Sequence, residues 1–458
     1  MAIGRPQAFA TSTGGDSRTQ YEGTDSSPLT PADSVSDEFY FFDDVIAAKR
    51  ITTSDISRVI PRRNWTTGTT YDIYRHDYGE RITGTTTQTS ANSGVFNLFD
   101  ANFYVLNSAR NVYKCLDNNN NAASTVEPTG TDTIVLSTAD GYKWKYMYTM
   151  SASEQSNFLS TDFMAVSTNS SVSSNAVSGS IDIVKIKTAG SGGTDGTHTN
   201  IPIRGDGTGG IVSVTVTSGA VTSVAVTTAG TGYTFATISN AQIVSAGATN
   251  LVGAELDVII PPKGGHGFNA VQELGAFFVM TNTSLEGTES ANSGDVSVAN
   301  DFRKVCLIRD PKSGGSAASA NTLRATTAIK LTGVSGSFSV DEKITQSSTG
   351  AVGKVVEFDS TNAIIYFVQS RHSNEGVDAN GNQIAFSSNG QISGEGGTPP
   401  TATPDTGHSA TTNNVVFNSG YSVPEIDHDS GDVLYVENRA PITRAADQTE
   451  NIKLIIEF

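Results

Sequence analysis

Cysteine is almost absent: Cys115 and Cys306 are the two in 458 residues. That count excludes a disulfide framework, and no CxxC pair offers a zinc or redox site, so both thiols are expected to be free and buried. Charge is also scarce, at 16% of residues against about 25% in an average chain. Basic residues are the scarcer sign, 29 against 46 acidic ones, for a net charge of −17. This argues against a general nucleic-acid binder, which needs a basic footprint, and against a partner with an anionic membrane surface. No run approaches the ~18 apolar residues of a membrane span, and the start Met1-Ala2-Ile3-Gly4-Arg5-Pro6 has no signal-type apolar stretch. No membrane partner is expected, and the product is read as soluble and made in a cytoplasm. Low charge also speaks against a disordered chain. What fills the composition instead is Gly, with 45 residues, together with Ser, Thr and Asn. That mixture suits strands and turns more than helices.

The length predicts two to four domains. Residues 1–32 read as an extended N-terminal arm. The best helix signal follows: Asp33 or Ser34 can cap it, with Asp37 as the capping-box partner of Ser34. Phe39, Phe42, Val45 and Ile46 fall at helical spacing, and Lys49 and Arg50 suit the C-terminal dipole. A short helical turn is placed at Ser54, ending before Pro61. From Trp65 to Met164 the signals are strand-like. Tyr142, Trp144, Tyr146 and Tyr148 alternate with other residues at a period of two, a strand with an aromatic face that reads as core rather than as a sugar-stacking platform.

Composition shifts near Ser167. From 167 to 261 the chain reads as a Gly/Thr-rich β insertion with an internal echo, Thr188-Ala189-Gly190-Ser191-Gly192 against Thr228-Ala229-Gly230-Thr231-Gly232. Ser218-Gly219 reads as a hairpin turn. Residues 313–418 read as a second small all-β insertion, with 373–415 as low-complexity loop. Val433-Leu434-Tyr435-Val436 and Leu454-Ile455-Ile456 read as strands covered on both faces. In the last strand, Ile452, Leu454, Ile456 and Phe458 share a face that is expected to be buried. The fold class is therefore mainly β: a layered β-sandwich core with helix-bearing loops, built from 33–166, 262–312 and 419–458, plus the two insertions.

No motif makes a case for an enzyme. Gly205-Asp206-Gly207-Thr208-Gly209-Gly210 formally fits GxGxxG, but it opens a strand and not the helix a dinucleotide site needs. None of the histidines pairs with another at HxxxH or HxH spacing. His266, among Gly264, Gly265 and Gly267, is the most site-like, and a tight turn explains those glycines. Asp427-His428-Asp429 reads as a solvated turn before a metal site. Asp378-Ala379-Asn380-Gly381-Asn382 reads as a hairpin turn, with its Gly misplaced for an EF-hand. No catalytic residue, cofactor or metal ligand is assigned.

Several segments have residue types that composition does not explain. They are Val59-Ile60-Pro61-Arg62-Arg63-Asn64-Trp65, Val112 to Asp117, Asp140-Gly141-Tyr142-Lys143-Trp144-Lys145-Tyr146, Asp301-Phe302-Arg303-Lys304, the stretch Gly431 to Ile442, and Asp447-Gln448-Thr449-Glu450. In this order they resemble the gene-eight baseplate wedge subunit of T-even-type contractile-tailed bacteriophages. The resemblance implies a homodimeric structural protein of the virion tail baseplate, assembled in the host cytoplasm, which joins other baseplate wedge proteins and carries no cofactor. It singles out Pro61, Arg62, Arg63, Trp65, Gly141, Tyr142, Trp144, Arg303, Glu437, Asn438, Arg439, Pro441, Asp447 and Gln448 as structural or interface residues. Arg62 and Arg63 are expected to stack on Trp65. The alternative reading is a receptor-binding or adhesin-type tail protein that recognises host surface glycans.

Overall fold

The computed structural model describes residues 1–9, 23–32, 34–82, 85–288, 296–297, 300–371, 375–387, 390–441 and 449–458. Asp33, His372, Ile442, Asp447 and Gln448 lie outside them. The chain is mainly β, as its composition predicts. It divides into two compact units, Met1–Asp55 with Asn282–Lys453, and Ile56–Thr281 with Leu454–Phe458. The segments expected to build one sandwich core are thus shared between two bodies.

In the first unit a five-stranded antiparallel sheet runs in the order Thr322–Arg324, Val45–Lys49, Ala2–Gly4, Lys304–Arg309, Asp432–Asn438. The strand Ala2–Gly4 sits at its centre, so the start of the expected N-terminal arm is core: Met1, Ala2 and Ile3 are buried. Three apolar residues between two ready strand edges outweigh the polar composition that follows them.

The helix Val35–Asp44 starts as predicted, with the Ser34 side chain accepting from the Asp37 N–H. It stops earlier than predicted. Val45 and Ile46 open the strand Val45–Lys49, whose two edges are taken by Ala2–Gly4 and Thr322–Arg324. Branching at Cβ favours that extended course once partners exist. The short helical turn is found at Thr53–Asp55.

Most of the second expected insertion is a closed ring of six strands. Thr327–Ser335 pairs with Ile364–Val368, then come Ala351–Asp359, Lys343–Gln346, Ile392–Ser393 and Thr401–Pro404, which returns to Thr327–Ser335. Ile329, Leu331, Ile344, Val355, Ile365, Phe367, Phe386 and Ile392 fill its interior. Closure removes sheet edges, and inward residues alternate along the strands, as in the buried-intermediate pattern of Ala351–Gly353. Two ring strands, Ile392–Ser393 and Thr401–Pro404, fall in the tract read as loop. They are only two and four residues long, too short to show a period of two.

In the second unit, Tyr104–Leu106, Asn111–Asn118, Tyr142–Thr149 and Val135–Ser137 form a four-stranded sheet. The Tyr142–Thr149 strand is more than an aromatic face. A bulge opposite Val112 and Tyr113 skips Met147, pairing Tyr148 with Val112 and Tyr146 with Tyr113. Tyr142, Trp144 and Tyr146 then serve one apolar cluster, while Met147 and Tyr148 serve another. Bulges shift side chains between faces in this way.

The first expected insertion has its own core around Ile201, Val212, Val214, Val216, Tyr233, Ile243 and Leu251. Over 167–261 it also holds two short helices, Ser170–Ser174, capped by Asn169, and Asn240–Ser245, with a Ser239/Gln242 capping box. Its ends lie side by side: Val184 pairs with Val258, and the Ile259 N–H donates to the Ile183 carbonyl at 3.1 Å. Ile183 and Ile259 pack in the neighbouring cluster with Val59 and Ile60. Val172 packs in the aromatic cluster, so the start of the expected insertion lies outside its core, whereas Ile181 belongs to that core and its N–H donates to the Ala229 carbonyl at 3.0 Å. The sequence echo is structural: Gly190 and Gly192 have φ of 68° and 78°, and Gly230 and Gly232 have 68° and 79°. A Cβ on Gly230 would lie 2.5 Å from the Gly210 nitrogen, so the position needs glycine on both grounds. Ser218 and Gly219, at φ 53° and 80°, make the predicted hairpin turn.

Candidate functional site

The residues singled out from sequence fall into two groups, one in each unit. In the Ile56–Thr281 unit, Pro61 ends the strand Ile56–Pro61, and its carbonyl accepts from the Tyr104 hydroxyl at 2.8 Å. Arg62 donates to the Ser160 carbonyl at 2.7 Å and to Asn64 Oδ1 at 3.0 Å. Arg63 donates to the carbonyls of Ala101, Phe99 and Asp100. The expected stacking on Trp65 is not what Arg63 does. Its guanidinium lies 4.6 Å from the ring centre of Tyr104. Trp65 instead donates from Nε1 to Ser124 Oγ at 3.1 Å and packs against the aromatic cluster. Arg63 and Trp65 are two positions apart, so in extended backbone their side chains share a face, but the ring that Arg63 reaches is that of Tyr104.

Gly141 has φ +84°, and a Cβ there would meet the Asn119 side chain at 2.7 Å. It turns the chain into Tyr142, whose ring stacks on Trp144 with centroids 5.4 Å apart. The Tyr142 hydroxyl donates to the Ala122 carbonyl at 2.6 Å. Tyr142 and Trp144 are fully buried. Burial, opposed by the hydrogen bond from the Tyr71 backbone, pushes the Tyr142 hydroxyl up to about 12. These are framework side chains.

In the first unit the remaining residues converge on Arg303. It is buried, donates to both carboxylate oxygens of Asp25 at 2.8 and 3.0 Å, and donates to the Pro6 carbonyl at 2.6 Å. Burial works against the Asp25 charge, but hydrogen bonds from Arg303 and the Phe9 backbone hold its carboxyl below the ordinary value. Sheet register places Asn438 opposite Lys304 and Glu437 opposite Val305. The Arg439 N–H donates to the Arg303 carbonyl at 2.8 Å, and its guanidinium lies 5.7 Å from the Phe302 ring centre. Asn438 donates to the Leu29 carbonyl at 3.0 Å. Glu437 accepts from the Tyr435 hydroxyl at 3.2 Å. Pro441 is half-buried at the end of this stretch.

Strand Asp432–Asn438 is an edge strand and not one covered on both faces: Lys304–Arg309 is its neighbour on one side, and no described strand pairs with the other. Leu434 is 59% exposed. The last strand, Thr449–Glu457, also departs from expectation. Ile452 and Leu454 are buried, Ile456 is half-buried, and Phe458 is 81% exposed. The apolar face is real but its burial fades after Leu454.

Sequence reasoning missed the strongest buried ion pairs. Lys114, fully buried, donates to Glu273, which also accepts the N–H groups of Gly267 and Asn269. Desolvation, partly offset by Glu273, lowers the Lys114 ammonium. The neighbouring His266 is buried edge-on to Tyr74 at 4.9 Å, and burial together with Lys114 and Lys145 keeps its imidazole neutral. Asp43, also buried, receives Arg371 at 2.6 Å and His428 at 3.3 Å. His428 Nδ1 is 2.7 Å from Asp429, so Asp427-His428-Asp429 is neither a metal site nor a free turn. Asp43 and Arg371 are 328 residues apart, and Lys114 and Glu273 are 159 apart; no local spacing announces such pairs.

The remaining motifs are turns. Asp206 in the Gly205–Gly210 stretch accepts from Thr234 and from the Phe235 N–H. Asp378 accepts from the N–H groups of Asn380 and Asn382. Cys115 and Cys306 are buried and free. Among the described residues no group of three or more His, Cys, Asp or Glu side chains is placed to hold a metal ion.

Residues 401–458 match the family model Phage-Gp8, described as Bacteriophage T4, Gp8. The match begins in the ring strand Thr401–Pro404 and takes in the edge strand Asp432–Asn438 and the final strand. No protein among the curated ones matches the chain.

Proposed function

We propose that this chain is a structural subunit of the baseplate wedge of a contractile phage tail. It forms a homodimer, joins neighbouring wedge proteins as the baseplate assembles in the host cytoplasm, and acts without catalysis or a cofactor. The observation that carries the reading is the match of residues 401–458 to the phage Gp8 family. The arrangement around Arg303 supports it. Glu437, Asn438 and Arg439, the part of the resemblance with the most distinctive residue types, are tied by backbone register to Arg303 and Lys304. This part of the resemblance therefore follows a connected piece of structure. The edge of Asp432–Asn438 that no described strand pairs, with Leu434 exposed, suits addition of a partner strand.

Antibody raised against the purified chain and imaged on phage particles by negative stain tests this reading. Label on the baseplate is the expected result. Label at fibre tips would favour the adhesin reading, and particles that lack the chain would overturn both. Light scattering on the purified protein checks the dimer separately.

A further inference from the structure

In the Ile56–Thr281 unit a cleft of about 350 Å³ opens beside the 184–258 module. Its size falls within the roughly 300–1,000 Å³ of small-molecule sites. Ile73, Ile186 and the half-buried Tyr78 give it apolar surface. Arg75, Lys185 and Lys187 bring three cations to the lining. Each is already held by carboxylate: Arg75 by Asp77 and Asp257 at 2.6 Å, Lys185 by Asp117 at 2.8 Å, and Lys187 by Glu255 at 3.2 Å. A cleft whose cations are neutralised at contact distance has no surplus charge for a phosphate or sulfate.

What is uncommitted is neutral. Ser90, Asn92 and Asn120 line the cleft, are exposed, and make no side-chain hydrogen bond to any described residue. Asn120 sits in the middle of three successive left-handed residues, Asn119, Asn120 and Asn121, at φ 49°, 55° and 64°. Asn118 secures that turn from below the surface by donating to the Tyr71 carbonyl and to Asn121 Oδ1. An amide offers a donor and an acceptor side by side, which is the complement of a pair of adjacent hydroxyls. Free amides and a hydroxyl beside small apolar surfaces fit a ring with one apolar face and a hydroxylated rim.

We infer that this cleft binds a short neutral saccharide, with Asn92, Asn120 and Ser90 reading its hydroxyls and the Tyr78, Ile73 and Ile186 surfaces meeting a ring face. The site is independent of the baseplate role proposed above and stands or falls without it.

The test uses the full chain and a panel of neutral probes, maltotriose, N,N′-diacetylchitobiose and galactobiose, followed by saturation-transfer NMR and calorimetry. Binding of at least one probe at millimolar concentration is expected, with inorganic sulfate failing to compete. Asn92→Ala and Asn120→Gly are each expected to weaken that binding about tenfold or more, with an unchanged melting temperature. Asn120→Gly suits the comparison because glycine keeps the left-handed turn while removing the amide. Three results would overturn the inference: no probe binds, sulfate displaces the bound sugar, or both variants bind as the parent does.

Discussion

Arg63, singled out as a structural or interface residue, is tied into the framework. Its guanidinium faces three carbonyls of the 99–101 turn and one tyrosine ring. Arg63→Ala should cost about 1.5–3 kcal/mol in urea denaturation, the range for hydrogen bonds to a charged group. Arg63→Lys should recover only part of that, because a point charge cannot serve a fork. Lys114→Met should cost more, about 3–5 kcal/mol, since it leaves the Glu273 carboxylate buried without its cation.

Titration offers a second residue-scale check. Burial, reinforced by Asp359, raises the Glu357 carboxyl to about 7. An acid whose folded value exceeds its unfolded one binds more protons folded, so stability falls as pH rises from about 4.5 to about 7. Glu357→Gln should therefore stabilise the protein at pH 8 by about 1–3 kcal/mol, a discounted reading of that shift at 1.36 kcal/mol per unit, and change little at pH 4. His428 has the same sign. Burial lowers its imidazole, but hydrogen bonds to Asp43 and Asp429 win and raise it above 6.5. Its contribution is complete below that value and lost as pH rises through the raised one. Melting curves from pH 5 to 9 on His428→Gln should show a flatter loss than the parent.

Among elements, the final strand gives the clearest test. Ile452 and Leu454 are buried, whereas Ile455 and Phe458 are exposed and Ile456 is intermediate. Deleting residues 455–458 should shift the melting temperature little. Deleting 452–458 removes two buried side chains worth roughly 1.5–3 kcal/mol each and should destabilise strongly, as scanning calorimetry would show. Equal effects from the two truncations would mean that the strand pairing, and not the apolar face, holds the end of the chain.

For the whole molecule, the 184–258 module should be separable. It has its own core, and Ile183 and Ile259 are joined by a hydrogen bond at its base. Replacing 184–258 with a short Gly linker closes a loop whose ends already meet, which costs little entropy. The product should remain folded and unfold cooperatively, although it loses the Lys185–Asp117 and Arg75–Asp257 pairs. Aggregated product would show that those pairs, and the Gly179 to Tyr233 contacts, are needed to hold the remaining core. The module also borders the proposed saccharide cleft, so its removal should abolish sugar binding.

The sequence by itself determined what depends on neighbours along the chain. The Ser34 cap, the Ser218-Gly219 hairpin and the paired glycines at 190/192 and 230/232 are local backbone preferences, and all three stand in the fold. The mainly β character and the two β-rich stretches were legible for the same reason, since composition and turn chemistry are local. Tertiary structure decided which strand edges meet. Ala2–Gly4 is three residues long and becomes a sheet centre only because Val45–Lys49 and Lys304–Arg309 lie on either side of it. The six-stranded ring closes through Ile392–Ser393, a strand too short to carry a pattern. The saccharide cleft gathers side chains from residues 73 to 257, and the Asp43–Arg371 pair joins positions 328 apart. Such contacts are set by the free energy of burying and pairing groups that are distant in sequence, and no window along the chain contains both partners.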